Sequence, residues 1–469
     1  MSEQTTYVEK RIPVYPRSVK GKFRNIKTAI LLLAYGVYFL LPWIPWHRPT
    51  GPNQTVLFDL VGRKFFIFDL TIYAQDIFWL AGFLIIGAFL LFYVTSILGR
   101  VFCGYFCFQT LWTDVFLLIE RLVQGERNAR IKLAKADWSV IKASKLGMTW
   151  LLWLVVSLWT GVSFTLYWGD SSELVRQLIT GEAPFPAYAT VMFLTVTTLV
   201  MAGLAREQVC TYMCPYARFQ SAMFDQDTLV VAYDENRGER ECGACKPTKQ
   251  NLSHEYRVEN NLGDCIDCGY CVQVCPVGID IRNGLQYQCI TCALCIDACD
   301  TMMKTINYPQ GLIRYTSESE QKEDIKHRSP WLKLKNIGYA LVLLAVTVLL
   351  ITSIVNRSPI ELHVQQVRQP LYIVLSDGFI QNRYSIKVNN KHETARQFKI
   401  AISGADDARL VVRPAKNFTI KAGDSLTLSA RIAIDPAKIQ DEQQVFQFIL
   451  EDVINQDQSI VNAQFFIPN

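Results

Sequence analysis

Histidine is scarce in this 469-residue chain, and its placement argues against one large class of membrane redox protein. Only five histidines occur, and none lies in a long apolar run. They are His47, His254, His327, His363 and His392. A membrane b-type haem usually takes axial histidines, so a haem-based quinol oxidase core is disfavoured.

Two nucleotide-binding signatures are also missing. No G-x-G-x-x-G follows a predicted strand, which removes the usual signal for a nicotinamide or flavin cofactor, and no P-loop indicates ATP hydrolysis. Net charge is only +5, which gives no argument for nucleic acid as a partner. Electrons would therefore enter and leave through partner proteins, quinol or free metal ions.

Charge is sparse as well. Charged residues make up 19% of the chain, below the about 25% typical of soluble domains, while half of the residues are hydrophobic. That composition excludes intrinsic disorder. Five uncharged apolar runs each approach the ~20 residues that a helix needs to cross a bilayer, and they lack the polar stripe of an amphipathic helix. The predicted spans are 28–46, 77–98, 146–168, 187–205 and 337–355.

The basic residues predict the orientation of these spans. Segment 1–27 holds seven Lys and Arg and segment 99–145 holds eight, whereas 47–75 and 169–186 hold three and one. The positive-inside rule then puts the basic N-terminus (1–27) in the cytoplasm. Segment 216–336 follows on the same side, and 356–469 lies outside. The first span is not expected to be a cleaved signal, because 27 polar and basic residues precede it. Residues 113–123 predict a short amphipathic helix at the membrane interface.

Cysteine, in contrast, is abundant and clustered. All 14 fall on the predicted cytoplasmic side or its membrane boundary. A secreted disulfide framework would place them outside. A reducing compartment with clustered cysteines indicates metal binding or redox chemistry.

Residues 265–276 read CIDCGYCVQVCP, and residues 289–299 repeat that spacing as CITCALCIDAC. Three closely spaced cysteines can wrap three irons of a cubane, and the fourth cysteine of each run ligates the other cluster. One 4Fe-4S cluster is therefore predicted on Cys265, Cys268, Cys271 and Cys299. The second is predicted on Cys275, Cys289, Cys292 and Cys295. Zinc is the alternative, but it does not explain two quartets of this spacing.

Two further cysteine pairs follow predicted spans. Arg100–Cys107 reads RVFCGYFC, and Arg206–Cys214 reads REQVCTYMC. Each is an Arg followed by C-x3-C after a two-helix hairpin, which indicates an internal duplication. An i, i+4 pair lies on one face of a helix, so Cys103, Cys107, Cys210 and Cys214 are expected to converge. Four thiolates suit copper(I), zinc or an iron–sulfur cluster, although buried free cysteines also act as small apolar residues.

Two cysteines remain, in the sequence CGAC. Cys242 and Cys245 could form a redox switch, an additional metal pair or a docking clasp. The signal is weak because C-x2-C is common and no βαβ pattern surrounds it.

After residue 355 the composition changes, with no cysteine and short runs typical of strands separated by Gly, Pro, Asn and Asp. Eight such runs in about 110 residues predict an immunoglobulin-like sandwich. They are 371–375, 379–388, 397–402, 409–412, 418–420, 425–434, 445–451 and 460–466. The predicted fold is thus a five-helix membrane bundle (four helices in 28–215), a cytoplasmic two-cluster ferredoxin-like domain at about 260–308, and a C-terminal all-β domain.

Segment 264–308 resembles a bacterial two-cluster ferredoxin, except that Asp300 stands where a second proline is common. The whole order of features, from about residue 24, resembles the CcoG/FixG/RdxA family of cytochrome oxidase accessory proteins. In that family the second membrane pair is often followed by proline, as at Pro215, whereas Phe108 follows the first pair here. The first part of the chain also resembles NapH-type quinol dehydrogenases.

The CcoG/FixG/RdxA resemblance implies a bacterial inner-membrane protein with a periplasmic tail. It implies a role in assembling the cbb-type oxidase by reducing copper(II) to copper(I), with oxidase assembly factors and copper carriers as partners. The four membrane thiols would then bind or reduce the metal. A quinol-linked electron conduit and a non-enzymatic scaffold with structural clusters are the alternatives.

Overall fold

The computed structural model divides the chain into two compact units. One contains residues 1–46 and 54–350, and the other contains residues 47–53 and 351–469. The structure describes residues 13–48, 51–73, 76–221, 223–240, 244–246, 253–323, 330–392, 394–405, 408–436, 443–454 and 457–467.

The first unit begins with a helical bundle. Its helices are α1 (Lys22–Leu40), α2 (Ile77–Leu98), α3 (Val101–Tyr105), α4 (Phe108–Gln124), α5 (Arg127–Lys135), α6 (Val140–Thr165), α7 (Ser171–Thr180) and α8 (Phe185–Thr198), and a small sheet is formed by β1 (Val56–Asp59), β2 (Lys64–Ile67) and β3 (Leu70–Tyr73). Helix α8 continues into a π-helix at Leu199–Ala205. Among the described residues, six helices are long and apolar enough to cross a membrane. The chain is therefore a membrane protein.

Five of these six helices correspond to the predicted spans, with ends that move by a few residues. Helix α2 coincides with 77–98, while α1 begins at Lys22, six residues before the predicted start. The prediction counted only the apolar run, which starts after Lys27. The helix itself also includes the basic residues before that run. Helix α15 (Leu334–Val355) gains three residues in the same way.

The sixth helix is the part of the bundle that the sequence misjudged. Residues 113–123, predicted to lie at the membrane interface, belong to the longer and largely buried α4. Phe116 is fully buried and stacks on Trp153 of α6 at a centroid distance of 5.3 Å. Asp114 pairs with Arg24 of α1 at 2.9 Å. The polar face that suggested an interface position is thus satisfied by ion pairs inside the bundle.

The cysteine-rich segment follows the bundle in the same unit. It contains α9 (Pro215–Ser221), β4 (Val230–Tyr233), α10 (Glu235–Gly238), α11 (His254–Glu259), α12 (Tyr270–Val274), α13 (Leu294–Thr305), β5 (Ile313–Thr316) and α14 (Glu318–Glu323). Strands β4 and β5 pair antiparallel. They bring the two ends of the segment together, so the cysteine loops lie within one folded body.

Helix α13 is tied directly to the membrane bundle. The Asp297 carboxylate accepts hydrogen bonds from the backbone amides of Phe23 (3.2 Å) and Arg24 (2.7 Å). It therefore caps the N-terminus of α1, where amides have no intrahelical acceptor and the helix dipole favours negative charge. A Cβ at Gly21 would lie 2.2 Å from the Asp297 Cγ, so only glycine allows this approach.

The second unit forms the predicted sandwich. Its strands are β6 (Ile360–Gln366), β7 (Ile373–Val374), β8 (Ile380–Asn390), β9 (Arg396–Ser403), β10 (Arg409–Arg413), β11 (Asn417–Ile420), β12 (Ser425–Ile434), β13 (Gln443–Asp452) and β14 (Gln458–Phe466). One sheet has the order β10-β12-β8-β6, with β7 on β8, and the other has the order β11-β9-β13-β14. All eight predicted runs contain strand, and β6 was not predicted. Tyr384, Phe446 and Phe448 pack between the sheets with ring centroids 5.2 to 5.6 Å apart.

Candidate functional site

Two loops of the cysteine-rich segment share one backbone conformation. In the first, Asp267 and Gly269 flank Cys268 with φ values of 48° and 62°. In the second, Thr291 and Ala293 flank Cys292 with φ values of 53° and 60°. Left-handed non-glycine residues cost free energy and concentrate at ligand clamps. The repeated geometry turns three cysteines of each loop toward a common point.

The two loops surround two separate cavities. The first is lined by Cys265, Cys268, Cys271 and Cys299. The second is lined by Cys275, Cys289, Cys292 and Cys295, with Cys271 also at its edge. The structure thus brings together the two predicted quartets, including the crossed fourth cysteine of each run. All donors are sulfur and the remaining walls are mostly apolar, so the residues fit a cubane iron–sulfur group.

Burial makes these thiols poor acids without a metal. It raises the pKa of Cys271 to about 12 and that of Cys275 to about 11. Burial likewise raises the pKa of Cys289 to about 12. A coordinating metal reverses this tendency, because its charge deprotonates the thiol outright.

Cys268, in the wall of the first cavity, is the one exposed cysteine among those described. Cys265 and Cys299 of the same cavity are 9% exposed, similar to Cys292 of the second at 8%. The second cavity is the one that faces the bundle. The Tyr105 hydroxyl donates a hydrogen bond to the Cys292 carbonyl oxygen at 3.1 Å. The pair of cavities therefore runs from the solvent surface to the membrane helices.

The membrane cysteines lie next to that second loop. Gly104, between Cys103 and Cys107, approaches so closely that a Cβ on it would lie 2.7 Å from the Ile290 carbonyl oxygen and 3.0 Å from the Cys292 Cα. Glycine is required here because any side chain would displace the loop.

The two C-x3-C pairs have matching local structure, but it is not the one expected. Cys103 is in the short helix α3, and Cys107 is extended just before α4. Cys210 is in a π-helical turn at Val209–Met213, and Cys214 is extended just before α9. The expectation that each pair occupies one face of a single helix is wrong, because the helix ends between its two cysteines.

The four membrane thiols lie in the same region, although no three of them lie within 4.8 Å of one another in the described part of the chain. Burial raises the pKa of Cys210 to about 12, and the thiols of Cys107, Cys103 and Cys214 are close enough to raise it further. Cys103 also donates a hydrogen bond to the fully buried Gln220 Oε1, at 3.2 Å.

Arg100 connects this thiol group to the second cavity. It is 3% exposed, and its Nε donates to Gln220 Oε1 at 3.3 Å. Its Nη1 donates to the Tyr287 carbonyl oxygen, two residues before Cys289. The guanidinium lowers the pKa of both Cys210 and Cys289, although burial dominates at each. One buried cation thus stabilises thiolates on both sides.

Of the remaining cysteine pair, Cys242 lies outside the described residues, and Cys245 is disulfide-bonded.

Sequence reasoning missed a polar cluster in the sandwich. Ligand atoms of His392, Asp452 and Asp457 lie within 4.8 Å of one another. The Arg396 Nη1 lies 3.7 Å from Asp452 Oδ2, so a guanidinium already supplies positive charge to this buried carboxylate. Three residues spread over 66 positions carry no sequence signal.

Comparison with known proteins agrees with this geometry. A family model described as a 4Fe-4S dicluster domain matches residues 205–318. A second, described as an IG-like fold at the C-terminal of FixG, matches residues 350–468. Protein RdxB of Cereibacter sphaeroides is 42% identical over 435 residues, which cover 91% of this chain and 90% of that protein. The chain belongs to the FixG/RdxA family.

Two further relatives support the assignment to the FixG/RdxA family. Protein RdxA of Cereibacter sphaeroides is 40% identical, covering 91% of each chain. Nitrogen fixation protein FixG of Rhizobium meliloti is 35% identical, covering 98% of this chain and 94% of its own. The protein is therefore a membrane protein with a 4Fe-4S dicluster domain and a C-terminal immunoglobulin-like domain, and electron transfer follows from that composition.

Proposed function

We propose that this FixG/RdxA family member reduces copper(II) to copper(I) at its four membrane thiols and supplies the copper(I) for assembly of a cbb-type cytochrome oxidase. The observation that carries the proposal is the direct packing of Gly104 and Tyr105, beside Cys103, against the loop that holds Cys292. Soft metal ligands thus lie next to the loop that lines the second cavity.

The two cysteine quartets would hold the iron–sulfur groups, which supply reversible one-electron chemistry when bound. Cys265, Cys268, Cys271 and Cys299 would hold one, and Cys275, Cys289, Cys292 and Cys295 would hold the other. Apolar walls such as Ile281 and Ile290 exclude water from the sulfur ligands. Solvent access and hydrogen bonds to sulfur set the potential of such a centre. The solvent-exposed Cys268 marks the entry side for electrons from a soluble donor.

Copper is the substrate at the membrane thiols. Thiolate ligands prefer copper(I) to copper(II), so Cys103, Cys107, Cys210 and Cys214 favour the reduced product. Each copper(II) takes one electron from the iron–sulfur segment and no bond is broken. Arg100 offsets part of the negative charge that builds up when the thiols ionise to bind the metal.

Charge and the contacts on either side of α4 support the proposed orientation in the membrane. Just before α4, Tyr105 of α3 contacts the iron–sulfur segment at Cys292. Just after α4, Glu126 accepts a hydrogen bond from Ser18, whose carbonyl oxygen accepts one from Tyr270 of the same segment. Contacts at both ends of α4 with one folded body favour a helix that does not cross the bilayer, and thus five crossings. With the basic segments inside, the clusters are cytoplasmic and the sandwich is periplasmic.

The test is copper reduction by anaerobically purified, dithionite-reduced protein freed of excess reductant. Copper(II) is added and copper(I) is captured by a chromogenic chelator. In the wild type we expect a fast phase of copper(I) formation, driven by electrons from the reduced protein. The double variant Cys103→Ser and Cys210→Ser should lose this fast phase, while its iron content stays at that of the wild type. Thr211→Ser, in the same turn as Cys210, is the matched control and should keep the fast phase. An unchanged rate in the double variant would refute the proposal.

A different cavity, between the membrane helices, favours one alternative function, quinol oxidation. It measures about 300 Å³, lies among α1, α4, α6 and α8, and has Phe108, Gln109, Trp112 and Phe164 in its wall. Phe108 directly follows Cys107, so a flat aromatic ligand there would lie near the thiols. This function would be favoured if a short-chain quinol reduced the iron–sulfur segment of the wild type but not that of Trp112→Leu. Oxidase assembly that survives loss of either quartet would favour the scaffold role instead.

A further inference from the structure

A charged cavity lies at the C-terminal end of α4, whereas Cys107 directly precedes its N-terminus. It has a volume of about 400 Å³ and is lined by α4, α5, α6, the π-helix after α8 and residues 13–15. Three cationic side chains line it, Arg130, Lys142 and Arg206, against the single carboxylate of Glu120. The lining residues therefore leave an excess of positive charge.

Arg130 is the clearest sign that this cavity takes a ligand. It is 1% exposed, its Nη1 donates to Glu120 Oε2 at 2.9 Å, and its Nη2 donates to the Pro16 carbonyl oxygen. Its Nε has no hydrogen-bond acceptor among the described residues. An unsatisfied buried donor on a charged group is costly, and a bound acceptor removes that cost.

Glu120 is shared and cannot neutralise the cavity. Arg206 donates to the same carboxylate, which already pairs with Arg130. The Lys142 Nζ reaches only the carbonyl oxygens of Ala134 (3.2 Å) and Ala136 (2.5 Å) within the described chain. These dipoles orient the ammonium group but do not cancel its charge.

The cavity is amphipathic and lies at one end of a membrane span. Leu146 and Trp150 form its apolar wall on α6, and Trp150 is 44% exposed on the outer face of that span. Trp138, whose ring centroid lies 5.4 Å from the Lys142 Nζ, is also exposed. Exposed tryptophans next to basic residues are typical of the headgroup level of a bilayer.

We propose that this cavity binds the phosphate group of an anionic phospholipid. The phosphate accepts from Arg130 Nε and approaches Lys142, while the acyl chains follow Leu146 and Trp150 along α6. Arginine donors match phosphate oxygens in geometry and charge. A neutral quinone would leave the excess positive charge uncompensated, and free phosphate would leave the apolar wall unused. The proposal does not depend on copper chemistry.

The test measures lipid bound to full-length protein purified from membranes, by native mass spectrometry and by re-addition of phosphatidylglycerol or phosphatidylcholine. We expect one retained anionic lipid per chain and preferential stabilisation by phosphatidylglycerol. Lys142→Gln should weaken phosphatidylglycerol binding about fivefold or more, given the worth of one basic residue near an anionic headgroup. Lys135→Gln removes the same charge from the exposed side of α5, outside the cavity, and is the matched control.

Three outcomes would overturn the assignment. One is equal lipid retention by both variants and the wild type. Another is equal stabilisation by inorganic phosphate alone, which would make the site one for the free anion. The third is displacement of the lipid by a short-chain quinone at lower concentration than by phosphatidylglycerol. Arg130→Lys, which keeps the charge but removes the Nε donor, gives a second variant if Lys142→Gln folds poorly.

Discussion

Replacing Gly104 by alanine should separate the membrane thiols from the iron–sulfur segment without removing any ligand. The new Cβ would lie 2.7 Å from the Ile290 carbonyl oxygen, which is backbone and cannot rotate away. Ordinary contact begins near 3.4 Å, so the loop carrying Cys292 must move by several tenths of an ångström. Overpacking of this kind costs about 1 to 3 kcal/mol.

That cost applies to the docked arrangement, so it weakens docking by about five- to 150-fold at about 1.4 kcal/mol per factor of ten. The expected result is slower copper reduction with full iron content. Stopped-flow absorbance of the reduced iron–sulfur protein mixed with copper(II) measures the rate. Hydrogen exchange should also increase at residues 287–292, where the loop loosens.

The matched control is Gly87→Ala, in α2. A Cβ at this position meets nothing within 4 Å, so copper reduction should stay at the rate of the wild type. An unchanged rate and unchanged exchange in Gly104→Ala would refute the argument that this contact couples the two sites.

Three further predictions test other parts of the structure. Cys299→Ser should remove the EPR signal of the centre in the first cavity, and Cys275→Ser should remove the signal of the centre in the second cavity. If each variant lost the signal of the other centre instead, the crossed quartets would be contradicted. Asp297→Ala removes the cap of α1 and should cost about 0.5 to 2 kcal/mol, seen as faster exchange of the first α1 amides in the full chain; unchanged exchange would show that the cap does not stabilise α1. Burial alone raises the Asp225 pKa, but lysine hydrogen bonds, the larger from Lys335, outweigh it and lower this pKa to about 2. The stability from this pair is therefore present above the usual pKa of about 3.9 and is lost as pH falls toward 2, so Asp225→Asn should flatten thermal stability over that range.

The sequence was most informative where chemistry imposes a spacing. The two cysteine runs predicted which side chains would meet, including the crossed Cys275 and Cys299, because a cubane needs four sulfurs around one point. Apolar runs predicted five of the six long helices, since the bilayer sets their length. Strands such as 425–434 were predicted to the residue because alternation persists along them.

The sequence was least informative where a contact joins distant segments. Helix α4 looked like a surface helix because the partners of Asp114 and Glu120 lie in α1, in α5 and at Arg206, directly after the π-helix. The role of Gly104 depends on Ile290, nearly 190 residues later, and no local pattern indicates it. Strand β6 was missed because a single polar–apolar alternation of seven residues resembles a linker.

The most direct test of the account is a single turnover followed by EPR. Reduced protein, freed of reductant, is mixed with copper(II), and the iron–sulfur signals are recorded as copper(I) is captured. The account predicts that one copper(I) appears for each electron lost from the iron–sulfur signals, and that the variant lacking the Cys103 and Cys210 thiols loses this coupling. Iron–sulfur signals that persist while copper(I) forms, or zinc in place of iron in the quartets, would contradict it.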